Sequence, residues 1–349
     1  MTVVSSAGTA RDADHVIRDA EALTHPALRA AVERLPVAIR HPVGVHFGWW
    51  DQAGTPLEGG RAGKAVRPAL VLTACEAVGG VREAGVAAAV AVELVHNASL
   101  LHDDIIDGDR LRRGRPAVWA ALGVPAAILA GDALFFLAVQ AVAEAPGPLG
   151  AAGPGLLTRA VQELIDGEYA DTLLEDREVA SVPVAEVTAM AQGKTGALIA
   201  ASCALGAVAG GADEQRVGCL RAFGVHVGAA FQLIDDVLGI WGDPVRTGKP
   251  AGADLAARKK SLPIAAALAS RCAAGRELGR LYARGGPLDT AEVARAAGLV
   301  EEAGGRSWAV RAAERHTRQA LEELAAARPQ RTAAAELRAL AELVTGRDH

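Results

Sequence analysis

The sequence predicts an all-α fold, a single large helical bundle over residues 13–349 behind a short disordered tail at 1–12. Three observations carry this prediction. Apolar residues recur with a 3.6-residue period through most of the chain, the interruptions are rich in Gly and Pro, and no stretch shows period-two alternation bounded by hairpin turns. The composition agrees: 51% of the 349 residues are hydrophobic but only 3% are aromatic, so small and aliphatic side chains must fill the core, as in closely packed helices.

Taken in order, the periodic stretches run from Ala13 to Arg40, Ala65 to Val78, Ala84 to Asp107, Val118 to Ala145, Leu156 to Leu174, Val184 to Val208 and Asp213 to Gly239, with shorter helices after them. Between them lie HPVGVHFGWWDQAGTPLEGGRAG, PGPLGAAGPG, GGAD, WGDPVRTGKPAGAD and ARGGPLD, each dense in residues that end helices or form turns. The uncharged run TGALIAASCALGAVAGGA at 195–212 is mostly Ala and Gly. It is too weakly hydrophobic for a membrane span, so a buried core helix is expected there and no transmembrane segment.

With 36 basic and 41 acidic side chains the formal net charge is −5. That balance gives no general attraction to nucleic acid or an anionic membrane, so an anionic ligand must be captured by local basic clusters. Cys75, Cys203, Cys219 and Cys272 lie far apart in apolar contexts without a CxxC pair, which reads as core cysteines in a reducing compartment and points to neither zinc nor disulfides. The N-terminal MTVVSSAGTARDAD has no basic segment followed by an apolar one, so the expected location is cytoplasmic.

The first concentration of chemistry is LLHDDIIDGDRLRRGRPA at 100–117. On a helix, Asp103 and Asp107 share a face one turn apart with Asp104 beside them, so several carboxylate oxygens can meet one cation. Gly108 should end this helix, leaving the carboxylates at the negative end of its dipole, a conflict of up to ~1 kcal/mol each that a bound cation removes. The stretch FQLIDDVLGIWGDPVRTGKPAGADLAARKK repeats the arrangement: Asp235 and Asp236 sit near a helix C-terminus, trailed by Arg246, Lys249, Arg258, Lys259 and Lys260. One DD pair alone is most simply a solvated helix face. Two, each followed by bases, fit Mg²⁺ and a phosphate-bearing substrate, because Mg²⁺ takes oxygen ligands and shares its sphere with phosphates while the bases bind the remaining oxygens.

A third basic group, Lys64 and Arg67 in GKAVRP, opens a helix after a Gly-rich loop, a setting that favours phosphate. His96 precedes Asp103 by about two turns on roughly the same face, where a structural and a ligand role are both open.

Taken together, GKxxRP, VHNASLLHDD, DDIID followed by RRG, GKT, FQLIDD and DDVLG followed by GK resemble the motifs of the trans-isoprenyl diphosphate synthases, or polyprenyl synthetases. The resemblance runs from about Gly59 to Pro263, and among these enzymes the chain resembles the geranylgeranyl diphosphate synthases. It implies a helical prenyltransferase bundle around a deep central cavity, with the two aspartate motifs facing each other and holding Mg²⁺ on an allylic diphosphate. By resemblance Asp103, Asp107 and Asp235 are the leading metal ligands, with Asp104 and Asp236 in support. Arg112, Lys194, Thr195, Gln232, Lys249 and Lys259 match positions that contact the allylic substrate, and Lys64, Arg67, His96 and Arg113 match the isopentenyl diphosphate site. Catalysis would fall to Asp103, Asp104, Asp107, Arg112, Lys194, Asp235 and Lys249: the departing diphosphate is stabilised, the allylic cation is attacked by the isopentenyl double bond, and a proton is lost. The expected product is a linear all-trans polyprenyl diphosphate, and a homodimer is expected from the family.

Where the family's second motif commonly ends in Asp this chain has Gly239, which removes a carboxylate one turn beyond Asp235; Ala65, Glu168 and Ser261 are smaller departures. The resemblance places control of product length below the first motif. There Ala98 and Ser99, five and four residues before Asp103, lie one turn deeper, and each turn of ~5.4 Å spans roughly one isoprene unit. Both are small, so products longer than farnesyl are expected, with farnesyl or C25 and longer chains as alternatives. Phe135 and Phe136 in GDALFFLAV are candidates for closing the tunnel near C20, and equally for ordinary core aromatics.

Other readings leave more unexplained. ELVH puts Glu93 and His96 in the ExxH spacing of di-metal carboxylate oxidases, but a second ExxH is missing. His102 beside Asp103 invites a metal-dependent phosphohydrolase, which ignores the second DD, and a terpene cyclase needs an NSE-type motif in its place. A regulatory subunit that pairs with an active synthase is motivated by Gly239 and would show no activity alone.

Overall fold

The computed structural model describes residues 10–57, 65–178, 182–243, 251–284, 286 and 288–345, and among them the chain is helical nearly throughout. The chain divides into two compact units. One holds the chain up to Arg159 with Ala201–Arg221 and Leu324–Leu340; the other holds Ala160–Ala200, Ala222–Glu323 and the chain from Ala341 on. The boundaries fall inside long helices, where no change of composition marks them.

In the first unit α1 (Ala13–Val32) is capped by Asp12, whose carboxylate accepts from the His15 N–H, and buries Val16, Ala20, Thr24, Leu28 and Val32 at every fourth residue. Of the tail expected over 1–12, residues 1–9 lie outside the described residues. Arg11 is anchored, not loose, pairing with buried Glu336 and with Asp19 at 2.8 Å each. Next come α2 (Val37–Phe47), α3 (Val66–Ala77), α4 (Val86–Ile106), α5 (Val118–Leu122) and α6 (Val124–Ala143). The first expected helix therefore breaks at Pro36, and α2 runs through Pro42 into a stretch expected to be irregular. Burial of Val43, His46 and Phe47 on α2 outweighs the proline. Gly123, at φ 93°, likewise splits the helix expected over Val118 to Ala145.

The prediction of no strands needs one correction. Leu111–Arg112 (β1) and Arg115–Pro116 (β2) pair antiparallel, Arg112 opposite Arg115. The two residues between them, Arg113 (φ 54°) and Gly114 (φ 75°), both have positive φ, as a type I′ hairpin requires.

The second unit takes α7 (Pro148–Asp176) from Ala160 on, then α8 (Val184–Ala191), which passes through a π-helical turn at Gln192–Gly196 into α9 (Ala197–Ala209), whose residues from Ala201 on belong to the first unit. It continues with α10 (Glu214–Trp241) from Ala222, α11 (Ala253–Ala256), α12 (Leu262–Ala269), α13 (Ala273–Ala283), α14 (Thr290–Glu302) and most of α15 (Gly305–Ala326); α16 (Arg331–Thr345) enters it at Ala341. One core gathers Val187, Leu233, Ile234, Val237 and Leu262, and another gathers Ile240, Leu255, Ile264, Leu278 and Leu299.

The run at 195–212 is a buried helix for most of its length, as expected. By length and composition alone, Arg82–Ile106, Val124–Ala143 and Glu214–Trp241 are also long and apolar enough to cross a membrane. Ala- and Val-rich helices that fill a helical core share that composition. Cys75 and Cys203 are buried, but Cys219 and Cys272 are only partly so, and the Cys272 sulfur accepts from the Gly275 N–H at the start of α13.

Candidate active site

The first acid cluster ends α4. Asp107 is the C-cap, its N–H donating to the Asp103 carbonyl at 2.8 Å, and Gly108 turns the chain away at φ 68°. Successive helical residues point about 100° apart, so Asp103 and Asp107 share one face while Asp104 turns into the core and is fully buried. There it meets Arg112, whose Nε donates to Asp104 Oδ1 at 2.7 Å and whose Nη2 closes a second contact with the same oxygen. Arg112 Nη2 also lies 3.5 Å from Asp103 Oδ2, so one guanidinium offsets the charge that collects at this helix end. Asp104 is therefore occupied by an arginine and does not face outward as a metal ligand. His102 turns to α6, its ring seated on Gly131 and Nε2 placed 3.1 Å from the Ile128 carbonyl and 3.7 Å from Asp132 Oδ1.

The hairpin distributes the other arginines. At its tip Arg113 reaches Asn97 Oδ1 at 3.5 Å, and Arg115 donates to the His46 carbonyl at 3.2 Å. Arg115 passes over Gly48, the left-handed C-cap of α2, where a Cβ would lie 1.2 Å from its Nη1. Beneath them, buried His46 shares a 3.0 Å hydrogen bond with Asn97 Oδ1, and the Asn97 amide donates to Glu93 Oε1 at 3.0 Å. Burial holds the His46 imidazole down to about 3, and the neighbouring arginines oppose its charge further. His96 is likewise held well below the ordinary histidine range, first by burial, then by Arg67, Arg113 and His46. Arg67, His96 and Arg113 are thus brought together, with Glu93 as the counter-charge. Arg67 Nε is buried with no hydrogen-bond partner among the described residues, a donor suited to an anionic oxygen. His46 and Asn97 carried no motif in the sequence, and His46 fell in a stretch expected to be a loop. Lys64 lies outside the described residues.

In the second unit the π turn presents Lys194, whose Nζ donates to Glu168 Oε1 at 3.0 Å and Asp171 Oδ2 at 2.8 Å. Gly167 makes this approach feasible, because a Cβ there would stand 2.2 Å from the Lys194 backbone nitrogen. Thr195 Oγ1 donates to Gln232 Oε1 at 2.6 Å, and Gln232 Nε2 donates to Asp236 Oδ1 at 2.7 Å. Asp236 is buried and also accepts from the Leu262 N–H at 2.8 Å, so it fixes Gln232 and the start of α12. Asp235, one residue earlier, is exposed. Asp236 therefore supports this cluster from inside and is not presented to a metal, again because adjacent helical residues point apart. Lys259 is exposed, whereas Lys260 is buried with its ammonium on the Leu174 carbonyl. Lys249 and Arg246 lie outside the described residues.

Among the described residues no three His, Cys, Asp or Glu side chains already converge as a metal site. The outward carboxylates are oxygen-only donors, a chemistry that fits a hard cation such as Mg²⁺. Below the first cluster Ala98 is fully buried and Ser99 partly so. Phe135 packs against the His102 ring, with centroids 5.8 Å apart. Phe136 is 77% exposed, so the candidate role of closing a tunnel within this chain is withdrawn for it.

The sequence matches the Polyprenyl synthetase family over residues 59–300. A (2E,6E)-farnesyl diphosphate synthase of Mycobacterium tuberculosis H37Rv is 43% identical over 331 residues, covering 94% of this chain and 91% of that protein. A geranylgeranyl diphosphate synthase of the same organism is 41% identical over 330 residues, covering 93% and 91%. The crystal structure of a polyprenyl synthetase from Streptomyces coelicolor A3(2) superposes with a TM-score of 0.90 at 45% identity, covering 95% of this chain and 99% of that one. The chain belongs to the polyprenyl synthetase family and is a prenyltransferase, a trans-prenyl diphosphate synthase.

Proposed function

We propose that the chain condenses isopentenyl diphosphate with an allylic diphosphate, releases diphosphate, and carries the product to geranylgeranyl diphosphate. The observation that supports this length is the wall one turn below Asp103. Ala98 is buried and small, and Ser99 folds its hydroxyl back onto the His96 carbonyl at 2.8 Å, so neither projects a bulky group. A farnesyl product is the second reading, favoured by the name of the 43% identical relative.

In the first unit Asp103 and Asp107, and in the second Asp235, are the carboxylates this reading assigns to Mg²⁺, which would neutralise the diphosphate and make it a better leaving group. Arg67, Arg112, Arg113 and Lys194 bind diphosphate oxygens, with Asp104, Asn97, Glu168 and Asp171 fixing where their cationic groups point. The basic side chains thereby stabilise the charge that develops on the leaving group.

A homodimer is part of this reading. On α6, Ile128, Leu129 and Phe136 are exposed, and on α7, Ile165, Tyr169 and Leu173 form an exposed apolar stripe at four-residue spacing. Such faces suit burial against a second copy.

The test is to incubate purified protein with Mg²⁺, isopentenyl diphosphate and dimethylallyl, geranyl or farnesyl diphosphate, then size the dephosphorylated products by mass. Linear C20 is expected. Products stopping at C15 would replace the length assignment, and no product from folded protein would favour the regulatory subunit.

A further inference from the structure

The side chain of Asn97, on α4, is fixed from both ends. Its amide nitrogen donates to the Glu93 carbonyl at 2.8 Å and to Glu93 Oε1 at 3.0 Å, two acceptors that settle which way the amide faces. Its oxygen therefore faces the other way, toward His46 Nε2 at 3.0 Å and Arg113 Nη2 at 3.5 Å. An amide oxygen only accepts, so the His46 ring must carry its proton on Nε2 and donate it to Asn97. Glu93, Asn97 and His46 are 6%, 0% and 5% exposed, so water does not take the place of either donor, and all three belong to the first unit.

Two donors thus approach one buried oxygen, and they do so unequally. The His46 N–H holds it at ordinary hydrogen-bond length, whereas Arg113 stands at the outer limit, where the attraction is weak. The hairpin turn fixes the Arg113 backbone at φ 54°, but its long side chain can still turn toward whichever acceptor pairs best. The last turn of α2 meets the hairpin a second time, because the His46 carbonyl accepts from Arg115 Nη2 at 3.2 Å. That contact holds the His46 backbone in place. Arg67 and Arg113 both act on the Glu93 carboxylate, and Arg67 Nε is buried with no hydrogen-bond partner among the described residues, so the site is built to receive an anionic oxygen.

We infer that His46 is a positioning residue for isopentenyl diphosphate, an inference that rests on the proposed assignment of Arg67 and Arg113 to diphosphate binding and on their match to the isopentenyl site. By donating to Asn97 Oδ1 it keeps that oxygen from capturing the Arg113 guanidinium, and it locks Asn97 against Glu93. Without the His46 N–H, Arg113 is the nearest remaining donor to a buried acceptor, and the guanidinium is drawn inward, away from the substrate. The allylic substrate is spared, because Arg112 and Lys194 have carboxylate partners of their own, Asp104 for one and Glu168 with Asp171 for the other.

The experiment measures kcat and the KM values for isopentenyl and geranyl diphosphate on the full chain. His46→Leu replaces the ring by an apolar side chain without an N–H. It should raise KM for isopentenyl diphosphate about tenfold, with kcat and KM for geranyl diphosphate within about threefold of wild type and circular dichroism unchanged. His46→Gln restores an N–H near the position of Nε2 and should recover most of the loss, which a general packing defect would not allow. Adding Asn97→Leu to His46→Leu removes the capturing oxygen as well, so the two losses should not multiply. Equal rises in both KM values, or a His46→Gln variant as impaired as His46→Leu, overturn the inference. Arg113→Ala keeps two failures apart. If it raises KM for isopentenyl diphosphate while His46→Leu does not, the inference falls and the site assignment stands; if it leaves that KM unchanged, the assignment falls and takes the inference with it. Should His46→Leu fail to fold, His46→Met, which also lacks the N–H, decides by the same measurement.

Discussion

Arg112 and Asp104 form an ion pair behind the first acid cluster: Nε donates to Oδ1 at 2.7 Å, the aspartate is fully buried, and the arginine keeps only 25% of its side chain exposed. Removing the arginine strands a carboxylate in the core, so Arg112→Ala should cost roughly 3 kcal/mol of folding stability. Arg113→Ala, at the exposed hairpin tip, should cost less than about 1 kcal/mol. Urea unfolding of the two variants checks the contrast, and equal losses would show that Asp104 does not depend on Arg112.

The same pair shows where sequence reading reaches and where it stops. The 3.6-residue period placed Asp103 and Asp107 on one face, and Gly108 marked the helix end; both follow from local geometry. The inward turn of Asp104 and Asp236 follows from that geometry too, but only once it is known which helix face is covered. The Arg113–Gly114 turn was not read from the sequence, because strands of two residues are too short to show alternation. His46 had no signal because α2 forms through Pro42 against local propensity. The π turn that presents Lys194 and Thr195 leaves no compositional mark, and neither does a unit boundary inside a helix.

His46 makes the fold sensitive to acid. A free histidine titrates near 6.5, and burial holds His46 down to about 3. Between those values the unfolded chain binds a proton that the folded chain refuses, so stability is fully present above pH 6.5 and falls as pH drops toward 3. His46→Gln keeps an amide opposite Asn97 and removes the titration. Its unfolding free energy should fall less steeply from pH 6.5 to 4, by up to about 1.4 kcal/mol per pH unit. Parallel slopes for wild type and variant would rule out this contribution.

Gly167 tests whether close backbone approach sets the position of Lys194. A Cβ there would meet the Lys194 nitrogen at 2.2 Å and the Gly193 carbonyl carbon at 2.6 Å, backbone atoms that cannot rotate away. Gly167→Ala should therefore cost about 1–3 kcal/mol of stability and lower kcat by displacing the Lys194 ammonium from Glu168 and Asp171. Gly218→Ala, on α10 with nothing within 4 Å of the added carbon, should instead stabilise by up to about 1 kcal/mol. Thermal unfolding with single-turnover kinetics separates the two, and a Gly167→Ala variant with wild-type kcat would detach the packing from the chemistry.

Product length can be tested without disturbing the core, because Ala98 and Ser99 differ in burial. Ala98 is fully enclosed, so a phenyl ring there must push the surrounding helices apart and should compromise folding. Ser99 is only partly buried, so Ser99→Phe can place its ring beside the helix one turn below Asp103. The variant should stay folded and shorten the dominant product by one or more isoprene units. Phe135 borders the same helix through His102, and Phe135→Ala should lengthen the product if that ring limits growth. Phe136, at 77% exposure, should leave product length unchanged when replaced by Ala, and sedimentation would report any effect on self-association instead. Mass analysis of the dephosphorylated products decides among these outcomes: a Ser99→Phe enzyme that still makes wild-type chains would mean the growing hydrocarbon does not pass this turn of α4.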